Sequence, residues 1–190
     1  MKRIGVLALQ GAFIEHISML RRLGAESLPV RSSQELAGLD GLVIPGGEST
    51  TMKHLLSVYD LQKRISRLIA GGLPVMGTCA GMILLAKRLS GAEQNSLATI
   101  DIDVRRNAFG RQVDSFETDL AMPALGEKPF HAIFIRAPWI EHTGPRVEVL
   151  ARLPDGPAVA ARQRNLLVAA FHPELTDDPR FHQYFVDMIR

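Results

Sequence analysis

Cysteine is the scarcest reactive residue in the sequence: Cys79 stands alone among 190 residues. A lone thiol excludes an internal disulfide and a cysteine-rich zinc site. It fits a reducing compartment, so a cytoplasmic location is expected. An excess of one charge is also missing. Lys and Arg number 22 against 20 Asp and Glu, a net charge of +2, with no basic run or basic–aromatic stripe. Neither nucleic acid nor a membrane surface is therefore expected as a partner. No apolar run approaches the length of a transmembrane helix. Met1-Lys2-Arg3 followed by apolar residues 4–9 faintly resembles a signal peptide. The run is too short, however, and meets Gln10 rather than a cleavage site, so a buried first strand is expected. Repeats, low-complexity tracts and linkers are absent. What remains is ordinary globular composition, 46% hydrophobic and 22% charged, enough for one domain over residues 1–190 with a full core.

The first half alternates strand and helix signals. Residues 4–9 form a continuous apolar run of strand length, which implies burial on both faces, as in a parallel sheet. Phe13, Ile17, Leu20 and Leu23 recur at helical spacing before Gly24. Residues 27–30 form a second strand, and Ser32 or Ser33 is placed to cap a short helix through Leu36. Residues 41–45 form a third strand. Leu55, Leu56, Leu61, Ile65, Leu68 and Ile69 predict one or two helices. Residues 73–76 read as another buried strand, followed from Met82 to about Leu89 by a helix. From Ser90 onward, residues 98–105, 112–120, 131–135, 147–153, 158–163 and 166–171 all read as strands, and 179–190 as a closing helix. The pattern predicts an α/β fold: a three-layer sandwich with a mostly parallel central sheet flanked by helices, and antiparallel strands added to one side by the second half.

Cys79 sits in Gly77-Thr78-Cys79-Ala80-Gly81, between a strand and a helix. Small residues two either side of a reactive side chain make a nucleophile elbow, which lifts that side chain out of the sheet. A helix N-terminus also favours the thiolate. The ordinary alternative is a small buried apolar residue. A cysteine nucleophile needs a base and an orienter for that base. His172 follows a strand in Phe171-His172-Pro173-Glu174, at the end where α/β sheets put their sites, and Glu174 can turn back onto the ring. Gly46-Gly47, also after a strand, offers unobstructed N–H groups for an oxyanion hole together with the N–H of Ala80. Taken singly, each has a plain alternative: a strand cap, a solvated loop, or a turn into a helix capped by Ser49 or Thr50. His16 and His54 fall on helices, His182 on the last helix, His131 on a strand and His142 in a loop near Trp139. None pairs with a carboxylate at metal-ligand spacing, so neither a metal nor a cofactor is expected.

Together these pieces resemble the class I, or triad, glutamine amidotransferases. The likeness narrows with Leu9-Gln10-Gly11-Ala12 and Glu15-His16, and with Pro45-Gly46-Gly47-Glu48-Ser49-Thr50-Thr51-Met52. It continues through Arg106-Asn107-Ala108-Phe109-Gly110-Arg111-Gln112-Val113-Asp114-Ser115-Phe116-Glu117, Phe134-Ile135-Arg136-Ala137-Pro138 and Phe171-His172-Pro173-Glu174-Leu175-Thr176. In this order and over nearly the whole chain, they resemble the family of glutaminase subunits of pyridoxal 5′-phosphate synthase. The least typical segments, 90–96, 121–129 and the chain end, are expected at the surface.

That resemblance implies hydrolysis of L-glutamine to L-glutamate and ammonia through a γ-glutamyl thioester on Cys79, with His172 as acid and base and Glu174 as its orienter. The N–H groups of Gly47 and Ala80 would bind the oxyanion, and the Gln10 region would complete the hole on docking. Gly46, Gly47, Glu48, Ser49, Arg106, Ile135 and Arg136 would hold glutamine, with an arginine suited to the α-carboxylate and Glu48 to the α-amino group. The implied partner is the synthase subunit, in a hetero-oligomer that receives the ammonia. The alternatives are a glutaminase subunit of another complex, such as that of histidine biosynthesis, a stand-alone cysteine γ-glutamyl hydrolase, and a peroxide-sensing thiol module.

Overall fold

A computed structural model describes residues 1–90, 97–108 and 115–190. The first apolar run becomes β1 (Arg3–Leu7), followed by α1 (Phe13–Arg22) and β2 (Glu26–Val30). Next come β3 (Gly41–Ile44), α2 (Ser49–Val58), α3 (Leu61–Ala70) and β4 (Val75–Thr78). The elbow leads into α4 (Ala80–Leu85), β5 (Ala86–Leu89), β6 (Ile100–Arg105) and β7 (Ser115–Leu120). The chain continues through β8 (Phe130–Ile135), β9 (Trp139–Thr143), β10 (Glu148–Arg152), β11 (Ala158–Gln163), β12 (Leu166–Ala169) and α5 (Arg180–Met188).

The expected α/β architecture is present. A ten-stranded sheet runs β2-β1-β3-β4-β12-β11-β9-β6-β5, with β10 on β11, while β7 and β8 form a separate hairpin. β2, β1, β3, β4 and β12 are mutually parallel neighbours. Each of β3, β4 and β12 is buried throughout, as a continuous apolar run requires when helices flank the sheet. Ile44 pairs with Gly77 and Thr78 with Ala169, so the C-terminal ends of β3, β4 and β12 finish level. Behind them Phe130, Phe134, Phe171 and Phe181 form a buried aromatic cluster, ring centroids 5.4–6.2 Å apart. Aromatic pairs at such spacing add stability beyond the area they bury.

Several expectations change. The last strand is not an antiparallel addition: β12 lies inside the parallel block, parallel to β4 and antiparallel to β11. The helix after the elbow ends at Leu85 rather than near Leu89. Lys87 and Arg88 instead extend as β5, where their charges meet Asp101 and Asp103 of β6 at 3.1 and 2.6 Å. His142 lies on β9, a strand the sequence hid behind Pro138 and its polar Glu141-His142-Thr143 end. Neither Ser32 nor Ser33 caps the short 3-10 helix Gln34–Leu36; Glu35 accepts the Arg31 and Ser32 N–H groups. The strand expected at 98–105 starts at Ile100, because Ala98 takes a left-handed φ of 48°. Positions 112–114 of the next expected strand, residues 109–114 of its motif and 91–96 lie outside the described residues. Met122 and Ile189 are buried, so the segments around them are not wholly surface. Among the described residues, no helix is long and apolar enough to cross a membrane.

Candidate active site

Strand order sets the site. β1, β3, β4 and β12 are neighbours, and their C-terminal ends lead respectively to Gln10, Gly46-Gly47, Cys79 and His172. Adjacent strands lie about 4.8 Å apart, so residues 162 positions apart in the chain, Gln10 and His172, line one cavity. Cys79 occupies the turn with φ 48° and ψ −104°, backbone that a non-glycine residue adopts only when its surroundings force it. Two contacts force it here. The Cys79 N–H donates to the Ala169 carbonyl at 2.8 Å. Gly81 lies so close to β3 that a Cβ there would be 2.0 Å from the Ile44 carbonyl oxygen. The thiol is 8% exposed and 3.9 Å from the Ile135 carbonyl.

His172 and Glu174 stand as expected beside it. His172 Nδ1 and Glu174 Oε1 are 2.7 Å apart, which leaves Nε2 for the hydrogen bond with Cys79. The His172 N–H donates to the Ile133 carbonyl, fixing the ring's backbone to β8. Burial alone would lower the His172 pKa, but the Cys79 and Glu174 partners override it and raise the value to about 10. Burial would likewise raise Glu174; the facing His16 and His172 hold it below the usual carboxylate range. The site thus favours an imidazolium between two acceptors.

Gly46 closes the other side. A Cβ on it would lie 2.4 Å from His172 Cε1 and 3.4 Å from Cys79 Cβ. Its carbonyl accepts the Ala12 N–H at 3.1 Å. Gly47 abuts Gln10, whose Oε1 accepts the Glu48 N–H at 2.7 Å. Ala80 opens α4, where first-turn N–H groups have no partner within the helix. A cavity of about 370 Å³ joins Gln10, Gly47, Glu48, Ser49, Cys79, Arg106, Ile135, Arg136 and His172. Of the expected site residues, only Gly46, Ala80 and Glu174 lie behind that lining. Ile83 and Asn107 also line it, and the sequence reading missed both.

Glu48 is more committed than its expected role suggests. Its carboxylate caps α2, accepting Thr50 N–H at 3.0 Å and Thr51 N–H and Oγ1–H at 2.7 Å, in place of the considered Ser49 or Thr50 cap. Those bonds, the Thr51 hydroxyl's first, hold its pKa down at about 2. Arg106 reaches toward the same carboxylate at 3.8 Å across the cavity mouth.

Two histidines given an ordinary role lie close by. His16 on α1 and His182 on α5 are fully buried, with His16 Nε2 3.3 Å from Glu174 Oε2 and Nδ1 2.8 Å from His182 Nε2. The sequence carried a signal: both sit on the apolar stripes of their helices, where a polar side chain needs a partner. His131, on the outward face of β8, bridges Asp119 and Glu117 at 2.9 and 2.8 Å. Among the described residues, no cluster of three or more His, Cys, Asp or Glu is placed to hold a metal ion.

A doubly wound sheet whose parallel strand ends present a strained cysteine, a buried His–Glu pair and a glycine turn has the build of an α/β enzyme that works through a cysteine nucleophile. A solved glutamine amidotransferase superposes with a TM-score of 0.92 at 49% identity, covering 98% of both chains. The chain belongs to the SNO glutamine amidotransferase family, whose sequence profile matches residues 6–190. Pyridoxal 5′-phosphate synthase subunit PdxT of Dehalococcoides mccartyi is 60% identical over 99% of this chain and 97% of its own. The protein of the same name from Herpetosiphon aurantiacus is 57% identical over 97% of this chain and 99% of its own.

Proposed function

We propose that this chain is the glutaminase subunit of a pyridoxal 5′-phosphate synthase, one catalytic unit over residues 1–190. It hydrolyses L-glutamine to L-glutamate and ammonia and passes the ammonia to a synthase subunit. The observation that carries this reading is the level alignment of Gly46-Gly47, Cys79 and His172–Glu174 on adjacent strand ends around one cavity. Its volume suits a small polar substrate, and the relatives' names give the assembly.

The Cys79 thiolate attacks the side-chain amide carbon of glutamine. The oxygen takes up the negative charge and is met by the N–H groups of Gly47 and Ala80, with the Gln10 region completing the hole in the complex. The His172 imidazolium gives its Nε2 proton to the amide nitrogen, the C–N bond breaks, and ammonia leaves a γ-glutamyl thioester on Cys79. Water then attacks the thioester, His172 takes its proton, and glutamate departs with the thiolate restored. Glu174 holds the ring in register throughout. Arg106 exchanges its long contact with Glu48 for the substrate α-carboxylate. Arg136 and the Ile135 backbone close the far side, and Gly46, Gly47, Glu48 and Ser49 hold the near side, with Glu48 offered to the α-amino group. Ammonia that escapes into water at neutral pH is protonated and no longer nucleophilic, which gives the hetero-oligomer its purpose. A reducing, cytoplasmic setting keeps the single thiol competent.

The test is glutamate release by the purified chain with and without the synthase subunit. Release strongly raised by that subunit is expected, and none in its presence defeats the reading. Cys79→Ala should lower turnover by roughly four orders of magnitude or more while glutamine still binds; retained turnover removes Cys79 as nucleophile.

A further inference from the structure

The buried polar chain does not stop at Glu174. The 3-10 turn Pro173–Leu175 carries Glu174 into a pocket between α1, β4 and α5. Its side chain is fully buried, and both oxygens face imidazoles: Oε1 meets His172 Nδ1 at 2.7 Å, and Oε2 meets His16 Nε2 at 3.3 Å. The same His16 Nε2 is 3.1 Å from Oγ1 of Thr78, the residue before the nucleophile. Its hydrogen bond is aligned on that hydroxyl and faces the carboxylate, since Glu174 Oε2 has no aligned partner of its own. On its other edge His16 Nδ1 meets His182 Nε2 at 2.8 Å, while His182 Nδ1 has no partner.

We infer that His16 is a positioning residue of this site: as a neutral ring it presents an Nε2–H to Glu174 Oε2, with its tautomer set by His182. This rests on the glutaminase reading above and extends the triad by two side chains.

Proton placement decides the point. Suppose His16 carried its proton on Nδ1 and donated to His182. A bare Nε2 lone pair would then face an anionic oxygen at 3.3 Å. His182 would also be left with a buried Nδ1–H lacking an acceptor, the rarest kind of orphan in a folded chain. With Nε2–H on both rings, His182 donates to His16 Nδ1, and His16 donates into the space between Thr78 and Glu174. The one unused atom is then a bare acceptor. Burial supports the neutral form, lowering the pKa of both His16 and His182. A fully buried carboxylate without donors takes up a proton instead of staying charged. A donor behind Oε2 keeps Glu174 ionised, with Oε1 turned to His172, in the way outer partners hold metal-ligating histidines.

The experiment uses the complex with its synthase subunit and L-glutamine. His16→Leu should lower kcat roughly 10–100-fold, with KM for glutamine moved less than about threefold. His16→Gln, which returns an N–H donor near the same place, should recover most of the loss. Full kcat in His16→Leu, or no recovery in His16→Gln, overturns the inference; a purely structural role would leave kcat of the folded variants alone. Imidazole nitrogen NMR on the wild-type chain gives a readout that needs no variant to fold. Both buried rings should be neutral Nε2–H tautomers near pH 7, and an Nδ1–H on His16 overturns the inference. A wild-type complex that releases no glutamate would defeat the glutaminase reading instead, and the tautomers would still decide this contact.

Discussion

Around the nucleophile, Gly46 is the glycine packed directly against both the base and the cysteine. A single methyl group there would fall 2.4 Å from His172 Cε1, well inside contact distance, and 3.4 Å from Cys79 Cβ. The ring must move, because the other neighbour is the reacting residue itself. Displacing a catalytic group by about 1 Å costs on the order of a hundredfold in rate. Gly46→Ala is therefore expected to lower kcat for glutamate release at least that much while leaving the thermal midpoint nearly unchanged. Assay of the complex beside a melting curve checks both, and a variant with full activity refutes the tight packing. At this scale the sequence was readable where small residues marked a special backbone. Gly77-Thr78-Cys79-Ala80-Gly81 and Gly46-Gly47 each announced a turn whose geometry could be reasoned about. It was not readable at His16. A lone histidine on an apolar stripe has many innocent explanations, and the partner that gives it meaning is 158 residues away at Glu174.

Among the elements, α2 depends on the residue just before it. Glu48 satisfies two of the helix's free N–H groups and the Thr51 hydroxyl, and its own N–H is held by Gln10. Losing an N-terminal cap costs about 1 kcal/mol, so Glu48→Ala should lower the urea midpoint accordingly. Glu48→Gln, which keeps an acceptor, should lose less; equal losses would mean that charge, not capping, is what matters there. The parallel strands were legible because burial on both faces leaves an unbroken apolar run. The end of α4 was not, because residues 82–89 carry no glycine or proline to stop a helix. What ends it is pairing with Asp101 and Asp103, on a strand that begins only at Ile100. β9 was missed for a related reason. Its polar Glu141-His142-Thr143 end reads as loop until β6 is beside it.

For the whole molecule, three buried rings shape stability against pH. His16 and His182 are held neutral by burial, with Glu174, His172 and Glu15 facing the first and His16 facing the second. Both have pKa values below the ordinary 6.5. Below that pH the unfolded chain takes up protons that the folded chain refuses. Stability then falls with acid, by up to about 1.4 kcal/mol per pH unit for each ring. His172 acts in the opposite sense, since its pKa of about 10 lets the folded chain keep a proton that the unfolded chain releases. Stability therefore also falls as pH rises from 6.5 toward 10, and urea midpoints measured from pH 5 to 9 should peak near 6.5. A profile rising steadily to pH 9 would contradict the raised value at His172. The position of β12 has a consequence for synthesis as well. It is the last strand in chain order, yet it fills the gap between β4 and β11 at the middle of the sheet. While the chain leaves the ribosome, β4, a strand buried along its whole length in the finished fold, offers an open edge until residue 169 emerges, an invitation to mispairing and to chaperones. The thiol, made early, meets its base only when that strand closes the sheet, so a half-made chain cannot spend glutamine.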